Sequence, residues 1–554
     1  MQKNGVMDFL GKRKDVIASF LLCFTALAIA LLLHPAYETN DDAYMEALLY
    51  GYQGMGRTSF LIFMNRITGC ILYFLVSVFP GVNWYFVMHY SVCLLSLYIL
   101  ARTFIRKNGF VGFFASLLIL AAAIEALIIV QFTKTAALAS VAGTIGLLFS
   151  LRTEKEKLFK GMCIAVIIAG SMIRFKAFVM VCPFIFVVFL HELVIMLKNR
   201  KQDLKRYVIV LGLTLVLVGS LFVAGNIINS LTPGVAEYNR YNDSRATFTD
   251  FPVDGSVRQD PDAKMIVDWM NNDPAVFTIE KLEQMSGQYH RETDYFSPKI
   301  LTSYFGDYLP NAIISEPLLL VVFAGCLLYL VFSKRKIYVV PLLGFYFILE
   351  WYLFSVGRTA VHRVDYGILL SFMTALIYLG EVSFTKISED VKKLIRYGAV
   401  PVLAILGVVI AGTYPVNWHI SDREYFRGVG ESLKAATSNS GYQYMVHPLA
   451  LGLNKERNIY DLPTDYNDGF FYMGGWQEGI SIPGIGYSKH CDIEGNPWET
   501  CVDSNTVRLV FLTGDAEICI KAVEAYIEKE YGHAVTGIPE YQDDNIVTYR
   551  IVSV

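Results

Sequence analysis

The sequence predicts a polytopic α-helical membrane protein with about eleven transmembrane helices, on the evidence of its composition and its apolar segments. The chain has 554 residues, of which 54% are hydrophobic and only 18% are charged. Its mean hydropathy of +0.43 is typical of polytopic membrane proteins and excludes the class of large soluble enzymes. The net charge of −3 gives no support for nucleic-acid binding.

About twelve apolar segments approach the roughly 20 residues that a spanning helix needs. They are 16–33, 60–79, 84–101, 109–129, 135–150, 161–173, 178–197, 207–229, 311–333, 337–356, 364–382 and 398–414. Basic clusters mark cytoplasmic loops. These clusters are 12–14, 102–107, 152–160, 198–206, 334–336 and 386–396.

The basic clusters conflict with a count of about twelve crossings, which would put 102–107 outside and the C-terminus in the cytoplasm. Removing 60–79 from the count resolves both conflicts. That segment contains Asn65 and Arg66 and ends at Pro80-Gly81, so we expect it to lie in the outer leaflet as a juxtamembrane helix. About eleven spans then remain, with the N-terminus acting as a cytoplasmic signal anchor and the C-terminus outside the cytoplasm.

Two domains follow from this topology. Residues 1–414 form the transmembrane domain, with external loops at 34–83 and 231–310. Residues 415–554 alternate strand-like segments (506–512 and 546–552) with a helix-like one (516–531), which predicts a small extracytoplasmic α/β domain. Within that domain Cys491 and Cys501 bracket a short loop and could form a disulfide.

The long apolar run 162–197 is broken by Arg174-Phe175-Lys176. The run is too long for one spanning helix, since a helix of about 20 residues already crosses the membrane. We therefore expect a hairpin of two helices with its tip on the external side.

An acidic pair follows the first apolar segment, in Glu38-Thr39-Asn40-Asp41-Asp42. Carboxylates are costly beside lipid, so a pair at this exit from the bilayer indicates a functional role. One carboxylate could accept the proton of an acceptor hydroxyl, while the second orients it or helps to bind a divalent ion. The structural alternative is helix capping by Asn40 or Asp41, because 43–50 has a helical pattern. A transfer reaction on the outer face of the membrane would need a donor substrate that is itself anchored in the membrane.

Cationic residues converge on the same side of the membrane in this topology. Guanidinium forks bind phosphate oxygens in bidentate fashion, so Arg174, Arg358 and Arg363 are candidates for binding a lipid-linked phosphate. Arg57 in the first loop and Lys134 in a short external turn are further candidates. The alternative for these residues is snorkelling to lipid headgroups at a helix end.

Other polar and aromatic segments on the external side leave their role open. Tyr241-Asn242-Asp243-Ser244-Arg245 and Asp250-Phe251-Pro252 could touch substrate or form turns. Gly474-Gly475-Trp476 and Trp498 offer aromatic faces of the kind on which sugars stack, although a lone tryptophan is more often core. His89 and His362 are interpreted as structural, and no CxxC pair suggests zinc.

The layout, with Asn40-Asp41-Asp42 in the first external loop, resembles the C-type (GT-C) superfamily of membrane glycosyltransferases, which use polyprenyl-phosphate sugars as donors. The resemblance implies that Asp41 is the base and Asp42 its partner, and that 60–80 is the family's juxtamembrane helix. Many relatives carry a second acid in the next external loop, where this chain has Gln131-Phe132-Thr133-Lys134 with only Glu125 nearby. That departure leaves metal dependence open, and the acidic pair is interpreted as a base and its helper more than as a cation site.

The sequence therefore predicts an integral membrane glycosyltransferase. It would transfer a sugar from a polyprenyl-phosphate donor to an extracytoplasmic acceptor, which is a cell-envelope glycan, a lipid or a protein. The alternatives are a flippase or transporter of envelope lipids or polysaccharides, and a polysaccharide polymerase or ligase. A transporter should carry ionisable residues near the midplane of several helices, whereas the charges here cluster at the outer ends of the helices.

Overall fold

The protein is mostly helical, with one small mixed sheet near its C-terminus. The computed structural model describes residues 14–52, 56–152, 156–250, 255–289, 295–333, 335–358, 361–380, 390, 393, 395–451, 457–463, 470–475 and 496–554. Cys491 and Trp476 lie outside these residues, and with them the predicted disulfide with Cys501.

The helices of the first half of the chain are joined by short connections. In chain order they are α1 (Lys14–Leu32), α2 (Asn40–Tyr50), α3 (Arg66–Val78), α4 (Trp84–Asn108), α5 (Phe110–Ile128), α6 (Phe132–Ser150), α7 (Lys157–Ile173), α8 (Phe175–Asn199) and α9 (Lys201–Ser230). Two short strands, β1 (Ala36–Tyr37) and β2 (Ile129–Val130), pair in parallel. This pairing holds the loop after α1 against the loop before α6.

The rest of the chain contains the remaining α-helices of the described residues. They are α10 (Val235–Thr249), α11 (Pro261–Val267), α12 (Ile279–Tyr289), α13 (Pro298–Ser303), α14 (Leu309–Ser315), α15 (Pro317–Phe332), α16 (Val339–Ser355), α17 (His362–Leu379), α18 (Val400–Ala436), α19 (Pro497–Thr500) and α20 (Ala516–Tyr531). The sheet is built from β3 (Gln443–Val446), β4 (Phe470–Tyr472), β5 (Val507–Leu512), β6 (Val535–Gln542) and β7 (Ile546–Ser553).

The chain is a multi-pass membrane protein. Among the described residues, eight helices are long and apolar enough to cross a membrane, or nine if the bent pair Pro298–Ser315 and Pro317–Val331, which meet at 96°, is one span. The predicted spans 161–173 and 364–382 are helical as α7 and α17 but do not belong to that set. The excluded segment 60–79 contains α3, whose 13 residues extend about 20 Å and are too few to cross the hydrocarbon core.

Two predicted breaks in the chain can be compared with the helix bounds. The run 162–197 is divided at Arg174, which has extended backbone (φ −153°, ψ 103°) between α7 and α8, as the polar residues predicted. Position 414/415, where the predicted second domain begins, lies inside α18, a helix of 37 residues with Pro415 in its interior. Apolar residues of its first half are followed by polar ones, so one helix leads from the transmembrane part to the sheet.

The sheet has the strand order β4-β3-β5-β7-β6. β3 is parallel to both β4 and β5, while β7 is antiparallel to β5 and β6. The predicted strands 506–512 and 546–552 and the predicted helix 516–531 match β5, β7 and α20. The small α/β unit expected from the alternating pattern is therefore present.

The polar segment 231–310 is largely helical rather than an open loop. Tyr241 and Phe248 of α10 and Leu282 of α12 share one hydrophobic core with Phe511 of β5 and Val523 of α20. This segment and the C-terminal sheet consequently stabilise each other, because each buries apolar side chains of the other.

Candidate functional site

A large cavity collects polar residues from segments that are distant in sequence. Its volume is about 1060 Å³. The lining residues that carry charge are Glu38, Asp41, Arg66, Arg174, Lys176, Asp243, Arg245, Asp250, Arg358 and Arg363. Six cations thus face four carboxylates in the cavity wall. A cavity of this size with convergent polar groups is a candidate ligand site.

The acidic pair is divided between the cavity and the interior. Helix α2 begins at Asn40, and its N-cap is Thr39, whose side chain makes no capping hydrogen bond. Asp41 and Asp42 both lie in the first turn, where the helix dipole favours a carboxylate. Consecutive helical residues point about 100° apart, so Asp41 lines the cavity whereas the Asp42 side chain is 0% exposed.

Asp42 is held in the interior by two donors. Its Oδ1 accepts a hydrogen bond from the Tyr85 hydroxyl at 2.8 Å and one from the backbone N–H of Phe132 at 3.2 Å. Burial raises the pKa of the Asp42 carboxyl well above its ordinary value, against the lowering effect of these hydrogen bonds. Asp42 therefore fixes the start of α6 relative to α2 and does not line the cavity.

A buried ion network joins the first loop to α5, α6 and α17. Lys134 is 0% exposed, and its Nζ lies 2.8 Å from Glu38 Oε2 and 2.7 Å from Glu125 Oε1. His362 Nε2 lies 2.7 Å from the same Glu125 oxygen. Lys134, predicted as a phosphate ligand or an interfacial anchor, is thus enclosed between two carboxylates and is not part of the cavity wall.

Arg174 is largely buried, and among the described residues its guanidinium has aromatic neighbours. Its guanidinium lies 4.7 Å from the ring centre of Phe132 and 5.5 Å from that of Phe63, and these two rings are stacked on each other. Its side chain donates no hydrogen bond to any residue that the structure describes. Burial lowers the pKa of Arg174 to about 10, which leaves the group charged near neutral pH. A desolvated cation in a cavity wall favours an anionic ligand.

Arg358 and Arg363 enter the same cavity from the connection between α16 and α17. Arg358 forms an ion pair with Asp250, another lining residue, at 3.1 Å. Arg363 forms no hydrogen bond or ion pair with a described residue. The structure thereby brings together three arginines that the sequence placed in two separate external turns.

Arg57 has its hydrogen-bond partners within the protein. Its guanidinium donates to Leu49 O at 3.2 Å, Tyr73 O at 3.0 Å and Ser77 Oγ at 2.9 Å, and lies 4.4 Å from the Tyr73 ring centre. Arg57 does not line the cavity. The arrangement joins α2 to α3, and its satisfied donors leave little capacity for a phosphate.

Three cations in the cavity wall, Arg66, Lys176 and Arg245, were not among the predicted phosphate ligands. Arg66 opens α3, and its Nε and Nη1 are buried without a hydrogen-bond partner among the described residues. Burial lowers the pKa of the Arg66 guanidinium. Arg245 lines the cavity from α10. The sequence did contain a signal for Arg66. Its charge inside the apolar segment 60–79 was one of the reasons for excluding that segment from the predicted spans.

Trp498 takes the core position that the sequence analysis favoured for a lone tryptophan. Trp498 is completely buried in the C-terminal core, where its indole N–H donates to Asn272 O at 3.1 Å, so it offers no face to a sugar. Trp269, which the sequence analysis did not select, lines the cavity instead. Asn242, Asp243, Arg245 and Asp250, for which substrate contact was one alternative, line the cavity as well, and Asn242–Arg245 are helical rather than turn residues.

No group of three or more His, Cys, Asp or Glu side chains that could hold a metal ion occurs in the described part of the chain. Glu125, the acid nearest to the expected second acidic position, is instead paired with Lys134 and His362. The cavity wall is therefore suited to anions more than to a divalent cation.

No protein-family model and no curated protein matches the chain. Two solved structures of ArnT from Cupriavidus metallidurans are similar to it. The structure bound to undecaprenyl phosphate has 11% sequence identity and a TM-score of 0.44, over 97% of this chain and 98% of that chain. The apo structure has 12% identity and a TM-score of 0.44, over 96% of this chain and 97% of that chain. A likeness of this degree carries no argument about the reaction.

Proposed function

We propose that the protein is an integral membrane glycosyltransferase that moves a sugar from a polyprenyl-phosphate donor to a hydroxyl of an extracytoplasmic acceptor. The observation that carries this proposal is that Asp41 lines one cavity together with Arg174, Arg358 and Arg363. A carboxylate can accept a proton, and guanidinium groups can hold a departing phosphate, so the two requirements of the transfer meet in one site.

The transfer step assigns a task to each group. Asp41 accepts the proton of the acceptor hydroxyl as its oxygen forms a bond to the anomeric carbon of the donor sugar. The bond between that carbon and the phosphate oxygen breaks, and its electron pair leaves with the lipid phosphate. Arg174 with Arg358 or Arg363 stabilises the negative charge that develops on the phosphate. Asp42 acts as a positioning residue, because it is buried and touches α6 through Phe132.

Arg66 joins this phosphate-binding group in the proposal. Its guanidinium is partly desolvated, lines the cavity and has two nitrogens without a partner among the described residues. A phosphate monoester accepts several hydrogen bonds, and each bond to a charged donor is stronger than a neutral one. Arg57 and Lys134 have intramolecular partners instead, so we assign them to the structural support of the site.

The sidedness of the site is part of the same proposal. Adding α7 and α17 to the nine candidate spans gives about eleven crossings, as the basic loops require. The N-terminus would be cytoplasmic, and the cavity, the segment 231–310 and the sheet domain after α18 would be extracytoplasmic. α3 would lie along the outer interface, where an amphipathic helix of its length is stable.

Substitution of the proposed base tests the function. Asp41→Asn preserves shape but cannot accept a proton at neutral pH, so transfer from polyprenyl-phosphate sugars in membranes should fall by about 100-fold or more. Asp307→Asn is the matched control, because Asp307 is exposed and lies outside the cavity. Undiminished transfer by a folded Asp41→Asn protein contradicts the proposal. Movement of the lipid-linked sugar across the bilayer without any transfer product would instead favour a flippase.

A further inference from the structure

Trp269 has a backbone conformation that its residue type strongly disfavours. Its φ is +57°, in the left-handed region that a bulky side chain rarely adopts. The neighbouring residues fix this conformation: the N–H of Met270 donates to Met265 O at 2.8 Å, and the Asn271 amide donates to the Tyr241 hydroxyl at 2.6 Å. Strain of this kind persists where surrounding structure determines it, and it is frequent at ligand sites.

The backbone opposite Trp269 is adapted to this position. A Cβ at Gly474 would lie 2.5 Å from the carbonyl oxygen of Trp269, closer than any real contact, so residue 474 has to be glycine. The N–H of Asn272 donates to Met473 O at 2.9 Å and joins the same two segments. Hydrogen bonds of its sequence neighbours and close packing against Gly474 therefore hold the Trp269 backbone in place.

Arg245 fixes the indole ring. Its guanidinium lies 5.0 Å from the Trp269 ring centre, and it donates to Thr249 Oγ1 at 3.1 Å and to Asn242 Oδ1 at 3.0 Å. Arg245 is only 4% exposed, and its Nε has no partner among the described residues. The indole N–H of Trp269 likewise donates to no described residue. The cavity-lining residues Arg245 and Trp269 thus each have a donor without a described protein acceptor.

Neutral amides line the same cavity as Trp269. Asn226, Asn229, Asn239 and Asn242, which lie on the end of α9 and on α10, line the cavity together with Trp269, and we call these five residues the asparagine wall. The Oδ1 of Asn229 is buried without a hydrogen-bond partner in the described structure. An amide both donates and accepts, which matches hydroxyl groups, whereas a phosphate only accepts.

We propose that the asparagine wall is a carbohydrate subsite, in which a sugar ring packs its C–H face on Trp269 and exchanges hydrogen bonds with the asparagine side chains. This inference rests on the proposed function and names the substrate class of one part of its cavity. An aromatic ring contributes apolar contact, and amides in the same cavity can satisfy hydroxyls, which together distinguish a sugar from a lipid tail or a phosphate. The sugar belongs either to the donor or to the acceptor.

Binding measurements on the purified full-length protein test the subsite and separate these sources. The first probes are polyprenyl-phosphate hexoses and pentoses, compared with polyprenyl phosphate that carries no sugar. Trp269→Ala and Trp269→Phe both place a side chain at the same backbone φ. The difference in ligand binding between the two variants therefore measures the contribution of the aromatic ring. If the donor sugar occupies the wall, Trp269→Ala weakens binding of a sugar-bearing lipid by about tenfold, Trp269→Phe restores most of it, and binding of bare polyprenyl phosphate is unchanged.

If the acceptor occupies the wall, Trp269→Ala instead raises the KM for the acceptor by a similar factor and leaves donor binding unchanged. Asn229→Leu should have the same effect as Trp269→Ala, while Asn505→Ala, an exposed position outside the cavity, should have none. Equal binding and equal KM values for wild type and Trp269→Ala overturn the subsite. Full transfer activity in Asp41→Asn would overturn the proposed base without changing the binding results, so the two failures are distinguishable.

Discussion

Asp41 and Asp42 are consecutive residues of α2, yet Asp41 lines the cavity while Asp42 is fully buried against Tyr85 and the backbone of Phe132. Through Phe132, Asp42 also supports Arg174, whose guanidinium lies over the Phe132 ring. A pair that is symmetrical in the sequence therefore has two different tasks. One carboxylate lines the cavity, and the other holds in place the aromatic ring beneath a candidate phosphate-binding arginine.

Asp42→Asn should leave the fold and transfer activity nearly unchanged and should remove a pH dependence of stability. Burial raises the pKa of the Asp42 carboxyl in the folded protein. The stabilisation that its neutral form contributes is therefore complete below the ordinary pKa of about 4, and it is lost as the pH rises through the raised pKa of the folded state. Asparagine cannot ionise and still accepts from Tyr85 and Phe132. The thermal midpoint of Asp42→Asn in detergent, relative to wild type, should increase with pH. A constant difference between the two midpoints across the pH range would contradict the buried neutral carboxyl.

Arg174→Gln should weaken the interaction with the lipid phosphate. Loss of a charge-assisted hydrogen bond costs about 1.5–3 kcal/mol, so the KM for the donor should rise by about 10- to 100-fold. Arg57→Gln is the control, since the Arg57 guanidinium is bonded to Leu49, Tyr73 and Ser77 and lies outside the cavity. Steady-state kinetics with varied donor measure both variants. An equal rise in KM for the two variants would argue against a specific role for Arg174.

Lys134→Met should destabilise the protein severely, because it removes the buried cation between Glu38 and Glu125 and leaves Glu125 with His362 as its remaining ion partner. Breaking a buried ion pair typically costs about 3–5 kcal/mol. The double variant Lys134→Met with Glu125→Gln removes one of the stranded charges and should recover part of the thermal stability in detergent. The loss in the double variant should be smaller than the sum of the two single losses. Strict additivity would show that Lys134 and Glu125 do not interact.

The proposed sidedness predicts opposite labelling of two exposed lysine positions. Lys521 lies on α20 in the sheet domain, and Lys205 lies in the basic start of α9. In a cysteine-free background, Lys521→Cys should react with a membrane-impermeant maleimide in intact cells, because that domain is expected outside. Lys205→Cys should react only after permeabilisation. The reverse pattern would place the cavity on the cytoplasmic face and remove the reason for a lipid-carried donor.

Local patterns determined much of the fold. Apolar length and basic clusters indicated the membrane class and most helices, and the polar break at Arg174 and the alternation around 506–552 matched the helix and strand bounds. These features depend on neighbours along the chain, since hydrophobic burial and helix or strand periodicity act over a few residues. The extent of α18 and the helices of 231–310 differed from the pattern, because each is stabilised by contacts with the distant sheet domain.

The sequence by itself determined that this is a multi-pass membrane protein and that acids and arginines near helix ends were the residues to examine. Only the tertiary structure decided which of them share a cavity. Lys134 is enclosed by Glu38 and Glu125, Arg57 is bonded within its own loop, and Arg66 and Trp269 line the site. The physical reason is that the environment of a charged or aromatic side chain is set by partners far away in the chain, and no local pattern specifies which partners those are.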